Sequence, residues 1–185
     1  MLDEIKKDAR TRMHKSVEAL RSELQRLRTG RASVALVETI KVPYYGSEMP
    51  LNQVANVVVS DSRTLTITPW EKDLVKEVEK ALQSSDIGIT PNTAGTTIRL
   101  IMPALTEERR RELAKHVGHE AENAKVAVRN IRRDAMQQVK ELLKEKEISE
   151  DDQHRAEEEI QKLTDQYTDS IDEVAKGKEE ELMAM

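Results

Sequence analysis

The sequence predicts an α+β protein of two parts: an elongated three-helix bundle with a small β/α/β domain inserted after the first helix. Three observations predict it. Residues 106–148 contain no proline and a single glycine, Gly118, and their apolar positions recur in steps of three and four from Leu113 to Leu142, the period of one continuous amphipathic helix. The same period runs through residues 2–29 and 150–183. Between the first and second of these stretches it falls to two, the period of a strand. At 1.5 Å per residue the central helix is roughly 60 Å long, too long to stand alone, so the other two must lie along it. The bundle is expected over residues 1–30 and 105–185 and the inserted domain over 31–104, giving an elongated two-domain particle.

The first helix carries Ile5, Ala9, Met13, Val17, Leu20, Leu24 and Leu27 on one stripe and stops at Thr29-Gly30, where glycine is the usual terminator. Thr39-Ile40-Lys41-Val42 alternates as a strand, Val57-Val58-Val59 reads as a buried strand, and Thr64-Leu65-Thr66-Ile67-Thr68 alternates again. Turn residues separate them at Tyr45-Gly46-Ser47 and Ser60-Asp61-Ser62. Residues 71–84 predict a short helix with Val75, Val78 and Leu82 inward. Residues 88–95 read as loop, and residues 97–102 as a last strand. Thr106 is the expected N-cap of the central helix, with Glu107 and Glu108 in its first turn. Ser149 and Asp152 form a weak variant of a capping box before the third helix, whose stripe runs from Ala156 to Leu182.

The chain leaves the bundle once and returns once, which predicts a hinge made of Thr29, Gly30, Arg31, Ala32 and Ser33 on one strand and Met102, Pro103, Ala104 and Leu105 on the other. Three apolar stripes that satisfy one another predict a monomer. A coiled-coil scaffold or co-chaperone, the competing reading, requires a second chain over an exposed stripe.

Composition excludes several classes. With no cysteine there is no disulfide framework, thiolate nucleophile or thiolate zinc site. The first residues lack the apolar run of a secretory signal, and no stretch approaches the roughly 18 apolar residues of a membrane span, so a cytoplasmic protein without membrane contact is expected. No phosphate-binding glycine motif or GxSxG appears. His116 and His119 stand three apart with Glu120 and Glu122 nearby, which matches neither HExxH nor HxxEH. A metal-dependent hydrolase therefore has only a poor motif to stand on. No catalytic residue, metal or cofactor is expected.

Net charge is −5, but its distribution matters more. Residues 1–31 carry nine Lys/Arg against five Asp/Glu, and 106–148 carry eleven against nine, whereas 149–185 carry four against thirteen. Lys125, Arg129, Arg132 and Arg133 fall on one stripe of the central helix, displaced about a third of a turn from the apolar one. Arg28 and Arg31 flank the end of the first helix. Planar guanidiniums on a rigid helix suit phosphate oxygens. The equally weighted alternative is that they pair internally with Glu122, Asp134 or the acidic third helix. The few aromatics, Trp70, Tyr44 and Tyr45 among them, are not interleaved with these arginines. Contact to the backbone of a folded nucleic acid fits better than base-by-base stacking.

Several segments together resemble the bacterial ribosome recycling factor family: Arg28-Thr29-Gly30-Arg31-Ala32-Ser33, Leu105-Thr106-Glu107-Glu108-Arg109-Arg110, Val126-Ala127-Val128-Arg129-Asn130-Ile131-Arg132-Arg133-Asp134-Ala135 and Lys146-Glu147-Ile148-Ser149-Glu150-Asp151-Asp152. Asp86-Ile87-Gly88-Ile89 and Pro91-Asn92-Thr93-Ala94-Gly95 add to the likeness, which spans essentially the whole chain in order. The resemblance implies a factor that acts after termination with elongation factor G, which hydrolyses GTP, to split the ribosome into subunits. It also implies that Arg28, Arg31, Arg129, Arg132 and Arg133 contact large-subunit ribosomal RNA, while the inserted domain faces the translocase and turns about the hinge.

Overall fold

The computed structural model describes residues 1–27 and 29–184 and divides into two compact units, Met1–Thr29 with Thr106–Met185, and Gly30–Leu105. The first unit holds α1 (Leu2–Gln25), α4 (Glu107–Lys144) and α5 (Glu150–Met183). The second holds strands β1 (Lys41–Tyr44), β2 (Ser47–Pro50), β3 (Ala55–Asp61), β4 (Thr64–Pro69), β5 (Asn92–Ala94) and β6 (Thr97–Ile101), with the single turn α2 (Leu51–Val54) and α3 (Val75–Ser84).

The three stripes meet as a bundle. Ala9, Met13, Val17, Leu20 and Leu24 of α1 are buried, as are Leu113, Val117, Ala121, Ala124, Val128, Ile131, Ala135 and Val139 of α4. Ala156, Ile160, Leu163, Ile171, Ala175 and Leu182 of α5 complete the core. Six of these positions are alanines, small enough to let the helix backbones approach closely. The stripes are spent on one another, and no continuous apolar face of the described bundle is left for a second chain.

The helix ends explain where the sequence reading overran. α1 was expected to reach Thr29 but ends at Gln25 and tightens through a bond from the Leu27 amide to the Leu24 carbonyl, 3.2 Å. The central helix was expected to reach Ile148 but ends at Lys144, because Lys146 adopts φ 59°. The Glu147 amide then donates to Leu142 O at 2.9 Å and the Lys146 amide to Leu143 O at 3.0 Å. This is a Schellman ending with lysine in the left-handed position that glycine usually takes.

At the helix starts, Thr106 Oγ1 accepts from the Arg109 amide at 3.1 Å. The capping box at α5 is complete: Ser149 Oγ accepts from the Asp152 amide at 3.1 Å and Asp152 Oδ2 accepts from the Ser149 amide at 3.2 Å. Those bonds, the backbone one foremost, hold the Asp152 carboxyl below its ordinary value. A depressed folded-state value means the stabilisation is present above the unfolded-state pKa of about 3.9 and fades as pH falls through the folded value. Asp152→Asn is therefore expected to destabilise the bundle at neutral pH, with the difference from wild type shrinking below about pH 4 in urea unfolding.

Gly118 sits exposed in the middle of α4, and a Cβ added there meets nothing within 4 Å. Gly118→Ala should raise stability by about 0.8–1 kcal/mol. An unchanged or lowered urea midpoint would show that the glycine serves something other than the helix.

In the inserted unit β1 and β2 form an antiparallel hairpin, and β3-β4-β6-β5 form an antiparallel sheet. β4 buries Leu65, Ile67 and Pro69, and β6 buries Ile98 and Leu100. α3 packs against β1, β4 and β6 with Val75, Val78 and Leu82 inward. Four details differ from the sequence reading. The first strand begins at Lys41, since the Ile40 amide instead closes a 3-10 turn onto Val37 O at 3.2 Å. Ser47, read as turn, begins β2 (Ser47–Pro50), a strand that the sequence reading does not predict. The run Val57–Val59 is not buried: β3 is an edge strand, leaving Val58 47% and Val59 43% exposed. Asn92–Ala94, read as loop, is a strand paired with β6 across a turn in which Gly95 takes φ 63°.

Candidate nucleic-acid interface

α4 presents its basic residues because its apolar stripe fixes its rotation. With Val128, Ile131 and Ala135 held inward, Arg129, Arg132 and Arg133 are placed on the flank and outer side. Their surroundings are not uniform. Lys125 Nζ lies 2.6 Å from Asp172 Oδ1 of α5, with its side chain 22% exposed. Arg132 Nη1 donates to Gln161 Oε1 of α5 at 3.1 Å and is half-buried. These two reach across the helix pair.

Arg129 Nη1 lies 3.2 Å from Glu122 Oε1 on its own helix, with its side chain 44% exposed. Exposed pairs of this kind contribute about 0–1 kcal/mol, so Glu122 releases Arg129 to a better anion at little cost. Arg133 is exposed and has no hydrogen-bond or ion-pair partner among the described residues. Asp134, one of the carboxylates expected to neutralise this stripe, turns the other way and binds Arg12 Nη2 of α1 at 3.1 Å.

Two residues that the sequence reading left out belong with this stripe. Lys140 and Lys144 are exposed and, among the described residues, without partner. They stand seven and eleven positions beyond Arg133, two and three turns on, which brings them onto the same side of α4. That spacing was the available signal. The result is a cationic face running from Arg129 to Lys144, widened toward α5 by Arg132. Fixed cations on a rigid rod without aromatic rings among them match a phosphate backbone, not unstacked bases.

The remaining predicted residues are distributed differently. Arg31 is exposed and belongs to the inserted unit, so it does not share a unit with the α4 stripe. Arg28 lies outside the described residues. His116 and His119 are both exposed, and among the described residues no group of three His, Cys, Asp or Glu is arranged to hold a metal ion. None of the described helices is long and apolar enough to cross a membrane.

The residues expected to form a hinge fall into anchored and free positions. Thr29 is buried in the bundle, where its Oγ1 donates to Glu181 Oε1 at 3.5 Å. The Ala32 amide donates to Ser62 O at 2.9 Å, and Ser33 Oγ accepts from the Ala35 amide at 3.3 Å, both within the inserted unit. Met102 is buried there too: its amide donates to Arg63 O at 2.7 Å, and its carbonyl accepts from Arg63 Nε at 3.1 Å and Nη2 at 2.8 Å. Between these anchors stand Gly30, at φ 78°, with Arg31 on one strand and Pro103, Ala104 and Leu105 on the other. The units divide at Thr29/Gly30 and Leu105/Thr106.

Comparison with known proteins gives a consistent result. The family model described as Ribosome recycling factor matches residues 20–183. The chain is 60% identical over 183 residues to the ribosome-recycling factor of Thioalkalivibrio sulfidiphilus, covering 99% of each. It is 58% identical over 185 residues to that of Xanthomonas campestris pv. campestris, covering all of both. Among solved structures it is similar to a solution structure of the ribosome recycling factor, with TM-score 0.77, 43% identity, and 100% of this chain and 98% of that one covered. It is also similar to the T. thermophilus ribosome recycling factor in a set with E. coli elongation factor G bound to the E. coli post-termination complex, with TM-score 0.63, 45% identity and 98% of both chains covered.

Proposed function

This chain belongs to the ribosome recycling factor family of non-enzymatic translation factors, and from that premise we propose that it binds the large ribosomal subunit after termination. With elongation factor G and GTP it then splits the post-termination ribosome into subunits for reuse. The observation that carries the RNA-binding half is Arg133, exposed and without a partner among the described residues, within a cationic face on α4. The partnership rests on the relative found with elongation factor G on a post-termination complex.

In this reading the bundle grips ribosomal RNA phosphates through Arg129, Arg132 and Arg133, with Lys140 and Lys144 extending the contact. Lys125, committed to Asp172, orients the α4–α5 pair beneath it. Arg28 and Arg31, the further contacts that the family likeness implies, add to this grip. The translocase pushes the inserted domain, which turns about Gly30–Arg31 and residues 103–105 while Thr29, Ala32, Ser33 and Met102 stay fixed to their own units. GTP is hydrolysed by the translocase. The chain supplies no covalent chemistry, needs no cofactor, and works as a cytoplasmic monomer.

The test is reconstitution. Purified post-termination ribosomes with elongation factor G, GTP and this chain should lose light scattering as subunits separate, and omission of any one component should prevent it. Ribosomes that stay whole with all components present would contradict the proposal.

A further inference from the structure

We propose that Tyr44, Tyr45 and Glu71 of the inserted unit form a docking point for an arginine or lysine side chain carried by a basic protein segment. The hairpin between β1 and β2 turns through Tyr45 and Gly46, at φ 45° and 86°. A two-residue turn with both positions left-handed suits Asn-Gly or Asp-Gly. Tyrosine at its first position strains the backbone. Burial does not compensate for that strain, since Tyr45 is 78% exposed.

The ring is nonetheless held in place. Its hydroxyl donates to Glu71 Oε2 at 3.0 Å, and the Tyr44 hydroxyl donates to Glu71 Oε1 at 3.4 Å. The two rings meet edge to face with centroids 4.6 Å apart. An aromatic surface that is strained, fixed by three contacts and open to solvent is organised for a partner.

Charge identifies the kind of partner. Glu71 and Asp73 both act on the Tyr45 hydroxyl, and with the hydrogen bond to Glu71 as the main cause they hold it protonated above its ordinary pKa. Glu48 stands in the paired strand, opposite Pro43. Lys72 follows Glu71 but forms no ion pair among the described residues. The local field thus favours a cation, and a tyrosine face beside a carboxylate is the setting in which a guanidinium or ammonium gains both cation–π and ionic attraction. Single-stranded RNA also stacks on aromatic rings, but its platforms carry basic residues to neutralise the backbone, and here the charged groups that act on the Tyr45 hydroxyl are the carboxylates of Glu71 and Asp73. This surface lies in the other unit from the α4 stripe and prefers the opposite charge, so failure of either assignment leaves the other standing.

The test is an amide-shift titration of the isotope-labelled full chain with a short arginine-rich peptide and, separately, with an oligouridylate of equal length. The peptide is expected to give saturable shifts at Tyr45, Gly46 and Glu71. These should weaken about five- to tenfold in Tyr45→Asn and in Glu71→Gln. Shifts along the acidic α5, which report nonspecific attraction, should persist in both variants. Asparagine accepts the left-handed backbone, so unchanged shifts at the Val42 and Met49 pair will show that the hairpin survives. The proposal is overturned if the peptide leaves Tyr45, Gly46 and Glu71 unmoved, if the oligouridylate shifts them instead, or if both variants bind as wild type does.

Discussion

Replacing Arg129, Arg132 and Arg133 together with glutamine is expected to weaken binding to isolated large ribosomal subunits by about 100-fold or more at physiological salt. Each guanidinium that meets a phosphate makes a charge-assisted bond contributing about 1.5–3 kcal/mol, so even two of the three at the low end, about 3 kcal/mol, exceed the roughly 2.7 kcal/mol that a factor of 100 represents. The fold should tolerate the change. Arg133 has no internal partner among the described residues, Arg129 loses one exposed pair with Glu122, and glutamine at 132 retains a side-chain amide near Gln161. Co-sedimentation measures the affinity and circular dichroism the helix content. Loss of both together would mean that the three residues support the bundle and not its grip.

The second large effect is on stability. Ile160 is fully buried between the helices, and Ile160→Ala should cost about 2–5 kcal/mol through lost transfer energy and the cavity left behind. Against a typical domain stability of about 5–15 kcal/mol that is a large fraction. The alanine-rich seam makes collapse around the cavity difficult, because the helices are already close. Val126, on the same bundle but 44% exposed, provides the contrast: Val126→Ala should stay within about 0.5 kcal/mol. Urea unfolding followed by the helical signal separates the two. Equal shifts would mean that the stripe assignment of α4 and α5 is mistaken.

How much of this was legible in the sequence depends on how local the determining interaction is. The bundle stripes were legible because a 3.6-residue period repeated over 24, 38 and 34 residues leaves one solution for which side is inward. The end of α4 was not, because the left-handed terminator is Lys146 and only the bonds to Leu142 and Leu143 reveal it. Val57–Val59 looked like an interior strand since an apolar run carries no information about sheet order, and order put β3 at an edge. β2 and β5 are three or four residues long and rich in turn formers. Their pairing comes from tertiary context, which periodicity does not encode.

The site divides along the same line. That Arg129, Arg132 and Arg133 share a side of α4 follows from spacing alone. Which basic side chain is engaged depends on where carboxylates point: Asp134 of α4 itself turned to Arg12 of α1, Glu122 stayed with Arg129, and Asp172 of α5 came to Lys125. Lys140 and Lys144 were accessible by the same spacing argument, but they stand outside the segments that carry the family likeness. The residues expected to form a hinge follow from domain logic, and the two units do divide at Thr29/Gly30 and Leu105/Thr106. Their division into anchored Thr29, Ala32, Ser33 and Met102 and unanchored neighbours needed hydrogen bonds that no sequence pattern displays.

The grip itself is tested most directly by the salt dependence of binding to isolated large subunits. Each phosphate neutralised contributes about 0.7–0.9 to the slope of log affinity against log salt concentration. The wild-type slope should therefore exceed that of the triple glutamine variant by about 2–3. Parallel lines, with the variant displaced or not, would mean that these guanidiniums do not meet the RNA backbone.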